Sequence, residues 1–577
     1  MAGKALIPRF GWLSSYGGGG LLKDGIAGLI LSILLVPQAM AYAQLAGLPP
    51  QMGLFAAMTP PLLYAIFGTS NYVSVGPVAL VSLIVAEASS GAPGGEAMSV
   101  VAIIAIQAGL ILLLVGALGL GRLVNFVSEP ALLGFTAAAA FLIAASQLPT
   151  MLGLDTERAG NLPAALGALW QELPQTSIPT ALIGGAALIA LLVLNRLAAP
   201  LLWKMGVFPP WRQAVAKSLP LLVIVAAALV AASYGDAVST VQAIEPGLPS
   251  LPSFGTPDLW LSLAPSSVAV AIVVFVTATA VAKSLAGTDR SHLDTSREAV
   301  ALGAGNIVAA LTGGYAVGAS LSRSALVEES GARSPISSVV AAAVVLATML
   351  FLAPLLAFLP QTALAALVIS AVFGLIKLGE MKSIWRHDRL EGIIVAIAFL
   401  ATLMLGVRLG LAIGAGVSVA HFLWFSSVPR VTRIGSDDGG RSFRSVDRDD
   451  VEIITLPVLG IRIDRSIYFA NAEYVEERIF KLIGRHDDDG VSCIVLDMRS
   501  VNGVDASGVA MLRRLAERLE RAEMTVHFAE VHAPVLEKLK VLDPAVCQYH
   551  RTVAEAVNSC GVDLNDMRDD TAGVWPR

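Results

Sequence analysis

Tyr72-Val73-Ser74-Val75-Gly76-Pro77 and Tyr315-Ala316-Val317-Gly318-Ala319-Ser320-Leu321-Ser322-Arg323 are two stretches, far apart in the chain, that read alike. Each sets β-prone residues and a glycine just before a new helical run, inside a region otherwise built of apolar helices. Gly- or Pro-interrupted segments at corresponding places in the two halves of a membrane protein point to a transporter binding site. The second stretch also carries Arg323, a permanent cation in an apolar setting, where charge is costly and usually functional. A fixed positive charge beside two interrupted helices predicts an anion.

Composition narrows the class further. Mean hydropathy is +0.72, and 55% of residues are hydrophobic against 14% charged, which excludes an ordinary soluble enzyme. Up to about Arg433 the chain is a succession of apolar segments, several near the ~20 residues needed to cross a bilayer core. Beyond it come Asp-, Glu- and Arg-rich stretches of soluble character. The net charge of -5 is too small to argue for nucleic acid. Lys4 and Arg9, followed by Gly17 to Gly20, lack a signal-peptide cleavage pattern, so the first apolar run is expected to stay in the membrane. Cys493, Cys547 and Cys560 all lie in the soluble part without metal-ligand or redox spacing, and read as free thiols of a reducing cytoplasm.

Apolar runs fall near 21–46, 51–68, 77–89, 98–120, 124–148, 180–195 and 216–234. A second set falls near 265–287, 296–312, 320–329, 336–358, 363–379, 390–406 and 410–427. The short runs 77–89 and 320–329 both come third in their set. An odd number of spans per half reverses direction, so the halves are expected to be inverted repeats. With a cytoplasmic N-terminus, Lys4, Lys23, Arg122, Arg196, Lys204, Lys283, Arg333, Lys377, Arg389 and Arg430 fall inside, whereas only Arg158 and Arg408 fall in outer loops. This predicts a multi-pass protein of the inner (cytoplasmic) membrane with both termini cytoplasmic.

After Trp424 the pattern changes. Val451 to Thr455, Gly460 to Phe469, Val491 to Met498 and Thr525 to Glu530 read as strands, and Ser507 to Arg521 has helical periodicity. The expected organisation is a cytoplasmic segment over 1–20, a transport domain over 21–428, a linker over 429–450, a small α/β domain over 451–560 and a polar tail over 561–577.

Several long motifs, in order, carry a resemblance. The run from Val36 to Ala57 (VPQAMAYAQLAGLPPQMGLFAA), FGTSNYVSVGPVA from Phe67 to Ala79 and GASLSRSAL from Gly318 to Leu326 resemble the SulP anion transporters. Phe469 to Ala472 (FANA) and Val495 to Gly508 (VLDMRSVNGVDASG) resemble that family's STAS domain. The resemblance implies an all-α membrane domain of about fourteen spans as seven-plus-seven inverted repeats, divided into core and gate with two half-helices. It also implies a C-terminal soluble α/β STAS domain and a homodimer, with a cytoplasmic protein as candidate partner of the STAS domain.

A helix that starts in mid-membrane exposes unpaired N–H groups and the positive end of its dipole, so two such ends can cradle an anion. Gly76 and Gly318 allow close approach, Pro77 suits a first helical turn, Ser320 and Ser322 offer hydroxyl donors, and Arg323 supplies charge. The alternatives are a structural arginine paired with a carboxylate and glycines that serve helix packing. Pro37 interrupts the first span, and Gln38 and Tyr42 share one face of it. The resemblance places these two at the substrate, with Val78 as an apolar wall, and Ala319 is a further candidate for substrate binding; a packing role for Gln38 or Tyr42 at a kink is the alternative.

Many relatives carry a coupling carboxylate in the eighth span, but Phe275 to Lys283 has none, and Thr277 falls at that position. Thr277 and Thr279 can offer neutral oxygens to Na+ but no proton near neutral pH. A bound cofactor is not expected; Na+ or H+ is the candidate coupling ion. Glu298 is a second candidate for coupling, against a capping and dipole role at a helix start, and Glu87 reads as a solvated outer-loop residue. Ser507 matches a serine that is phosphorylated in anti-sigma antagonists, against a helix-capping role. No catalytic triad, Walker loop, metal-ligand cluster or dinucleotide fingerprint occurs, so ATP-driven transport within this chain is not expected, nor is an enzyme.

The expected function is secondary active transport of a small anion (sulfate, bicarbonate or a dicarboxylate) across the lipid bilayer by elevator-like alternating access. The alternatives are an anion-selective channel and an anion receptor that signals through the STAS domain.

Overall fold

A computed structural model describes residues 18–90, 97–156, 159–206, 211–241, 254–286, 293–436, 442–446, 458–484, 492–542 and 547–561. The expectations for Lys4 and Arg9, for Arg158, for the Val451 to Thr455 strand and for the tail after Gly561 lie outside these residues. The chain forms two compact units, Met1–Ser418 and Val419–Arg577.

The first half of the membrane unit runs α1 (Gly18–Ala46), α2 (Pro50–Met58), α3 (Pro60–Phe67), β1 (Val75–Gly76), α4 (Ala79–Ser89), α5 (Ala97–Ala117), α6 (Glu129–Leu152), α7 (Leu162–Glu172), α8 (Ile178–Lys204) and α9 (Trp211–Ala232). The second half runs α10 (Pro257–Leu285), α11 (Thr295–Leu311), β2 (Gly318–Ala319), α12 (Leu321–Glu329), α13 (Ile336–Phe351), α14 (Ala353–Leu356), α15 (Gln361–Val372), α16 (Leu378–His387), α17 (Arg389–Leu405) and α18 (Val407–Ser427). Each predicted apolar run finds a helix. Among the described residues, eight helical stretches are long and apolar enough to cross a membrane.

The run 51–68 is not one helix. It divides into α2 and α3 at Thr59, where Pro60 and Pro61 remove two helical donors and restart the chain. The two short elements are the informative ones: α4 has 11 residues and α12 has 9. At ~1.5 Å per residue they reach roughly 14–17 Å, about half of a ~30 Å hydrocarbon core.

Helix packing falls into two groups. In one, α5 lies along α11 and α10, α1 along α2 and α13, α3 along α11, and α4 beside α1 and α10. In the other, α6 packs on α15 and α17, and α8 on α9 and α15. The groups meet where α1 touches α15 and α9. Small residues set the closest approaches: a Cβ on Gly109 of α5 would sit 2.7 Å from the Gly303 carbonyl oxygen of α11, and a Cβ on Gly303 would sit 2.7 Å from that of Gly109.

The second unit is a six-stranded sheet in the order β4-β3-β5-β6-β7-β8. Its strands are β3 (Val431–Gly435), β4 (Arg444–Ser445), β5 (Leu459–Ile463), β6 (Cys493–Asp497), β7 (Thr525–Ala529) and β8 (Cys547–His550). β5 to β8 are parallel, while β3 pairs antiparallel with both β4 and β5. The segment expected to be a linker therefore contributes two strands, because Val431, Thr432 and Arg433 find backbone partners in β5. The helices are α19 (Ala472–Gly484), α20 (Ala506–Arg521), α21 (Ala533–Leu539) and α22 (Val553–Ser559).

Two expectations in this unit change. Cys493 and Cys560, with Cα atoms 6.0 Å apart, are joined as a disulfide and are not free thiols, because α22 folds back over β6; Cys547 lies outside this bridge and is buried. The cap of α20 is not Ser507 but Asp505, whose Oδ1 accepts from the Gly508 N–H at 2.8 Å while Oδ2 accepts from Phe469 N–H at 2.9 Å. Ser507 is left exposed in the first turn.

Candidate anion site

β1 and β2 pair antiparallel, with Val75 opposite Ala319 and Gly76 opposite Gly318. Ser320 N–H extends the ladder to the Ser74 carbonyl at 3.2 Å. β1 runs into α4 and β2 into α12, so the two half-helices start from opposite ends of one short antiparallel ribbon. The residues that drew attention in the sequence are thus brought together by backbone hydrogen bonds.

The two helix starts differ. α4 has Val78 as N-cap with no side-chain cap, leaving its first-turn N–H groups without that partner. At α12 the Ser320 hydroxyl accepts from the Arg323 N–H at 3.4 Å, so this serine is a cap as well as a candidate donor. Pro77 lies before the N-cap and not within the first turn, because β1 carries the extended backbone past Gly76 before the helix can start.

Arg323 is fully buried, and none of its Nε, Nη1 and Nη2 atoms has a hydrogen-bond partner among the described residues. A buried guanidinium ordinarily sits in an ion pair, since an unpaired buried charge is worth several kcal/mol of penalty. The carboxylate-paired alternative is therefore not what the structure holds. A Cβ on Gly76 would stand 3.5 Å from Arg323 Nη2, so the glycine of the first half-helix faces the cation of the second. A Cβ on Gly318 would meet Val78 Cγ2 at 3.1 Å, which makes this glycine a spacer between the two strands and the α4 start. Ala319 is buried beside it.

Other expected residues separate by burial. Ser322 is exposed, while Arg323 and Ser324 are fully buried. α1 runs unbroken through Pro37, whose ring removes the donor that would have reached the Ile33 carbonyl, so the predicted interruption is a lost hydrogen bond and not a break. Gln38 and Tyr42 are buried one turn apart on α1, and Gln38 Oε1 has no hydrogen-bond partner among the described residues. Tyr42 and Tyr315 both lie within electrostatic reach of Arg323.

Three supports are not apparent from the sequence. Ser324 Oγ accepts from Ser74 N–H at 2.9 Å, linking α12 to the chain before β1. The Tyr315 and Ser82 hydroxyls lie 2.9 Å apart, linking the approach to β2 with α4. Asn306 of α11 accepts from Val317 N–H at 2.9 Å and donates to the Val317 carbonyl at 3.1 Å, satisfying the non-helical backbone just before Gly318. An asparagine inside the apolar run SREAVALGAGN was the available signal.

The candidate coupling residues are dispersed. Thr277 donates to the Val273 carbonyl at 2.6 Å, a back-bond within α10. Thr279 Oγ1 is buried without a hydrogen-bond partner among the described residues. Glu298 is 1% exposed and accepts from Tyr64 Oη at 2.7 Å and from the Thr69 N–H and hydroxyl at 2.8 and 2.5 Å. It ties α11 to the end of α3, while capping of α11 belongs to Asp294. Glu87 is not a loop residue but sits in the last turns of α4, where Arg408 of α18 donates its N–H at 3.3 Å and holds Nε 3.9 Å away.

A cavity of about 630 Å³ opens between the helix groups, lined among others by Gln44, Glu87, Gln147, Thr150, Thr362 and Val407. It holds none of the anion-site residues; it begins beside the turn of α1 that follows Tyr42.

Residues 21–398 match the sulfate permease family, and residues 451–556 match the STAS domain. Sulfate transporter 4.1, chloroplastic, of Arabidopsis thaliana is 31% identical over 90% of this chain and 76% of its own. The probable sulfate transporter 4.2 of the same plant is 32% identical over 92% of this chain and 79% of its own. The structure of the murine solute carrier 26 family member A9 anion transporter in the inward-facing state superposes with a TM-score of 0.87 at 22% identity, covering 96% of this chain and 93% of that one. That likeness concerns the fold.

Proposed function

From its place in the sulfate permease family, to which this chain belongs, we propose that it is a secondary active transporter that carries a small oxyanion, sulfate first among the candidates. The observation that carries this is Arg323: a fully buried guanidinium whose three nitrogens have no hydrogen-bond partner among the described residues, set where two half-helices begin. An anion there meets a fixed charge, the N–H groups of α4 and α12 and two favourable dipole ends, together worth several kcal/mol in a water-poor site. Exposed Ser322 gives the ion a first hydroxyl, with Gln38, Tyr42 and the Val78 and Ala319 walls around it.

The packing into two helix groups supports elevator-like movement, in which the group holding both half-helices carries the anion past the group of α6, α8, α9, α15 and α17. Thr277, Thr279 and Glu298 give no ionisable group that is open to exchange, since Glu298 is held by Tyr64 and Thr69; this favours anion exchange over proton symport. The separation of basic residues supports cytoplasmic termini in an inner membrane. The working unit is a homodimer, and exposed Ser507 is a phosphorylation site through which a cytoplasmic partner reads the STAS domain.

Purified protein in liposomes is expected to take up labelled sulfate faster than empty vesicles, with bicarbonate and fumarate as competitors and with Na+ and pH gradients varied separately. Uptake equal to that of empty vesicles under every gradient overturns the proposal. Unitary currents in planar bilayers, far above carrier turnover, would replace it with a channel.

A further inference from the structure

Cys493, His527 and Cys560 belong to no part of the transport site, yet their two Sγ atoms and a ring nitrogen all lie within 4.8 Å of one another. The topology places them. Cys493 opens β6 opposite Thr525 of β7, so His527, two residues further on, points to the same face as a diagonal neighbour. α22 lies over that face against β6, β7 and β8, and Cys560 follows its last turn. Cys493 and His527 are 5% and 2% exposed, and Cys560 is half-buried at the rim.

We propose that the soluble unit holds a site for a thiophilic divalent cation of the Zn2+ class, with Cys493, Cys560 and His527 as ligands and solvent in the fourth position. Tetrahedral sites with bonds of ~2.0–2.3 Å hold their donors roughly 3.3–3.8 Å apart, a spacing that side-chain rotation reaches from the observed cluster. The Cα separation of 6.0 Å between the cysteines serves two thiolates on one metal as well as it serves a disulfide. Two soft sulfurs and one imidazole select Zn2+ over the oxygen-seeking Mg2+ or Ca2+.

His550 completes the design from outside. Its Nε2 lies 2.9 Å from His527 Nδ1, and the two rings stack with centroids 5.1 Å apart. Donation from Nδ1–H to His550 commits that nitrogen and leaves Nε2 of His527 with a lone pair for the metal, the usual way an outer partner fixes a ligand's tautomer. His550 is thus a positioning residue.

The site exists in the dithiol form. Two molecules of a monothiol reduce the Cys493–Cys560 bond to two thiols and leave as one oxidised disulfide; the metal then displaces the two thiol protons to solvent. Disulfide and metal are alternative ways of fastening the end of α22 to β6, chosen by the redox state of the compartment.

The test uses the full-length, untagged protein in detergent, reduced and freed of metal without oxygen, then titrated with Co2+. One equivalent should give the d–d absorption of a tetrahedral site together with thiolate-to-cobalt charge transfer, and one equivalent of Zn2+ should remove both. Cys493→Ser and Cys560→Ser should abolish the spectrum, and Cys547→Ser should keep it. His550→Phe should weaken Co2+ binding by about tenfold or more. A reduced wild-type protein without these bands overturns the proposal, as does a spectrum that survives both serine variants. A Cys493–Cys560 disulfide that resists reduction in the folded protein overturns it equally.

Discussion

Arg323 is stable in its position only because the surrounding fold holds it there. With no hydrogen-bond partner for its buried nitrogens among the described residues, the guanidinium is a local destabilisation that an anion relieves. Arg323→Met, which keeps the volume and removes the charge, is therefore expected to raise stability in anion-free buffer by at least about 1 kcal/mol, seen as a higher thermal midpoint. The same variant should lose the stabilisation that sulfate gives the wild type. A residue that lowers stability for its function is legible in sequence as an arginine among apolar neighbours, and so it was. Which serine accompanies it was not. Ser320, Ser322 and Ser324 look equivalent along the chain, but starting α12 at Leu321 turns Ser324 inward with Arg323 and leaves Ser322 exposed. That phase is fixed by the pairing of β2 with β1, in which Ala319 stands opposite Val75 and Gly318 opposite Gly76 although the two strands are far apart in the chain.

At the scale of elements, the half-helices depend on backbone that is neither helix nor full strand, and such backbone persists at membrane depth only where partners satisfy it. Asn306 is that partner before β2. Asn306→Leu strands the N–H and carbonyl of Val317, and a loss of about 2–4 kcal/mol is expected, measured by thermal unfolding in detergent. Sulfate uptake should fall with it, because the Gly318 end of the ribbon loses its anchor. The short third runs, with their glycines, were readable because composition marks a helix start. The clamp was not, since nothing local links an asparagine in α11 to a valine beyond the next turn. Glu298 shows the same limit: its first-turn position suggested a dipole role, whereas its partners Tyr64 and Thr69 come from the other half of the chain. In the soluble unit, strand and helix periodicity were read correctly for β6, β7 and α20. β3 was missed because it follows directly on a membrane helix, where the composition changes too abruptly for alternation to stand out.

At the scale of the whole molecule, the division into two helix groups makes a mechanical claim. α18 packs with the second group, since a Cβ on its Gly414 would meet Ala398 of α17 at 3.2 Å and Ala131 of α6 at 3.8 Å; the Arg408 and Glu87 contact therefore joins α18 to α4 across the seam, so fastening these positions together should stop movement of one group past the other. Glu87→Cys with Arg408→Cys, joined by a short bis-thiol reagent, is expected to reduce sulfate uptake at least tenfold while either single variant keeps it; release by a cleavable reagent should restore transport. The inverted repeat and the α/β unit were legible because hydropathy and charge are averages over many residues, which single-residue errors do not disturb. The disulfide partner of Cys493, 67 residues along the chain, was not, because only the sheet and α22 bring it near. The central claim is that one anion binds at the meeting point of α4 and α12 through Arg323. Equilibrium binding of labelled sulfate to wild-type and Arg323→Met protein, on preparations shown to be folded by their unfolding midpoints, tests it most directly. Saturable binding by the wild type, with none by the variant at the same concentrations, is the predicted result; a variant that saturates at wild-type concentrations would contradict the account.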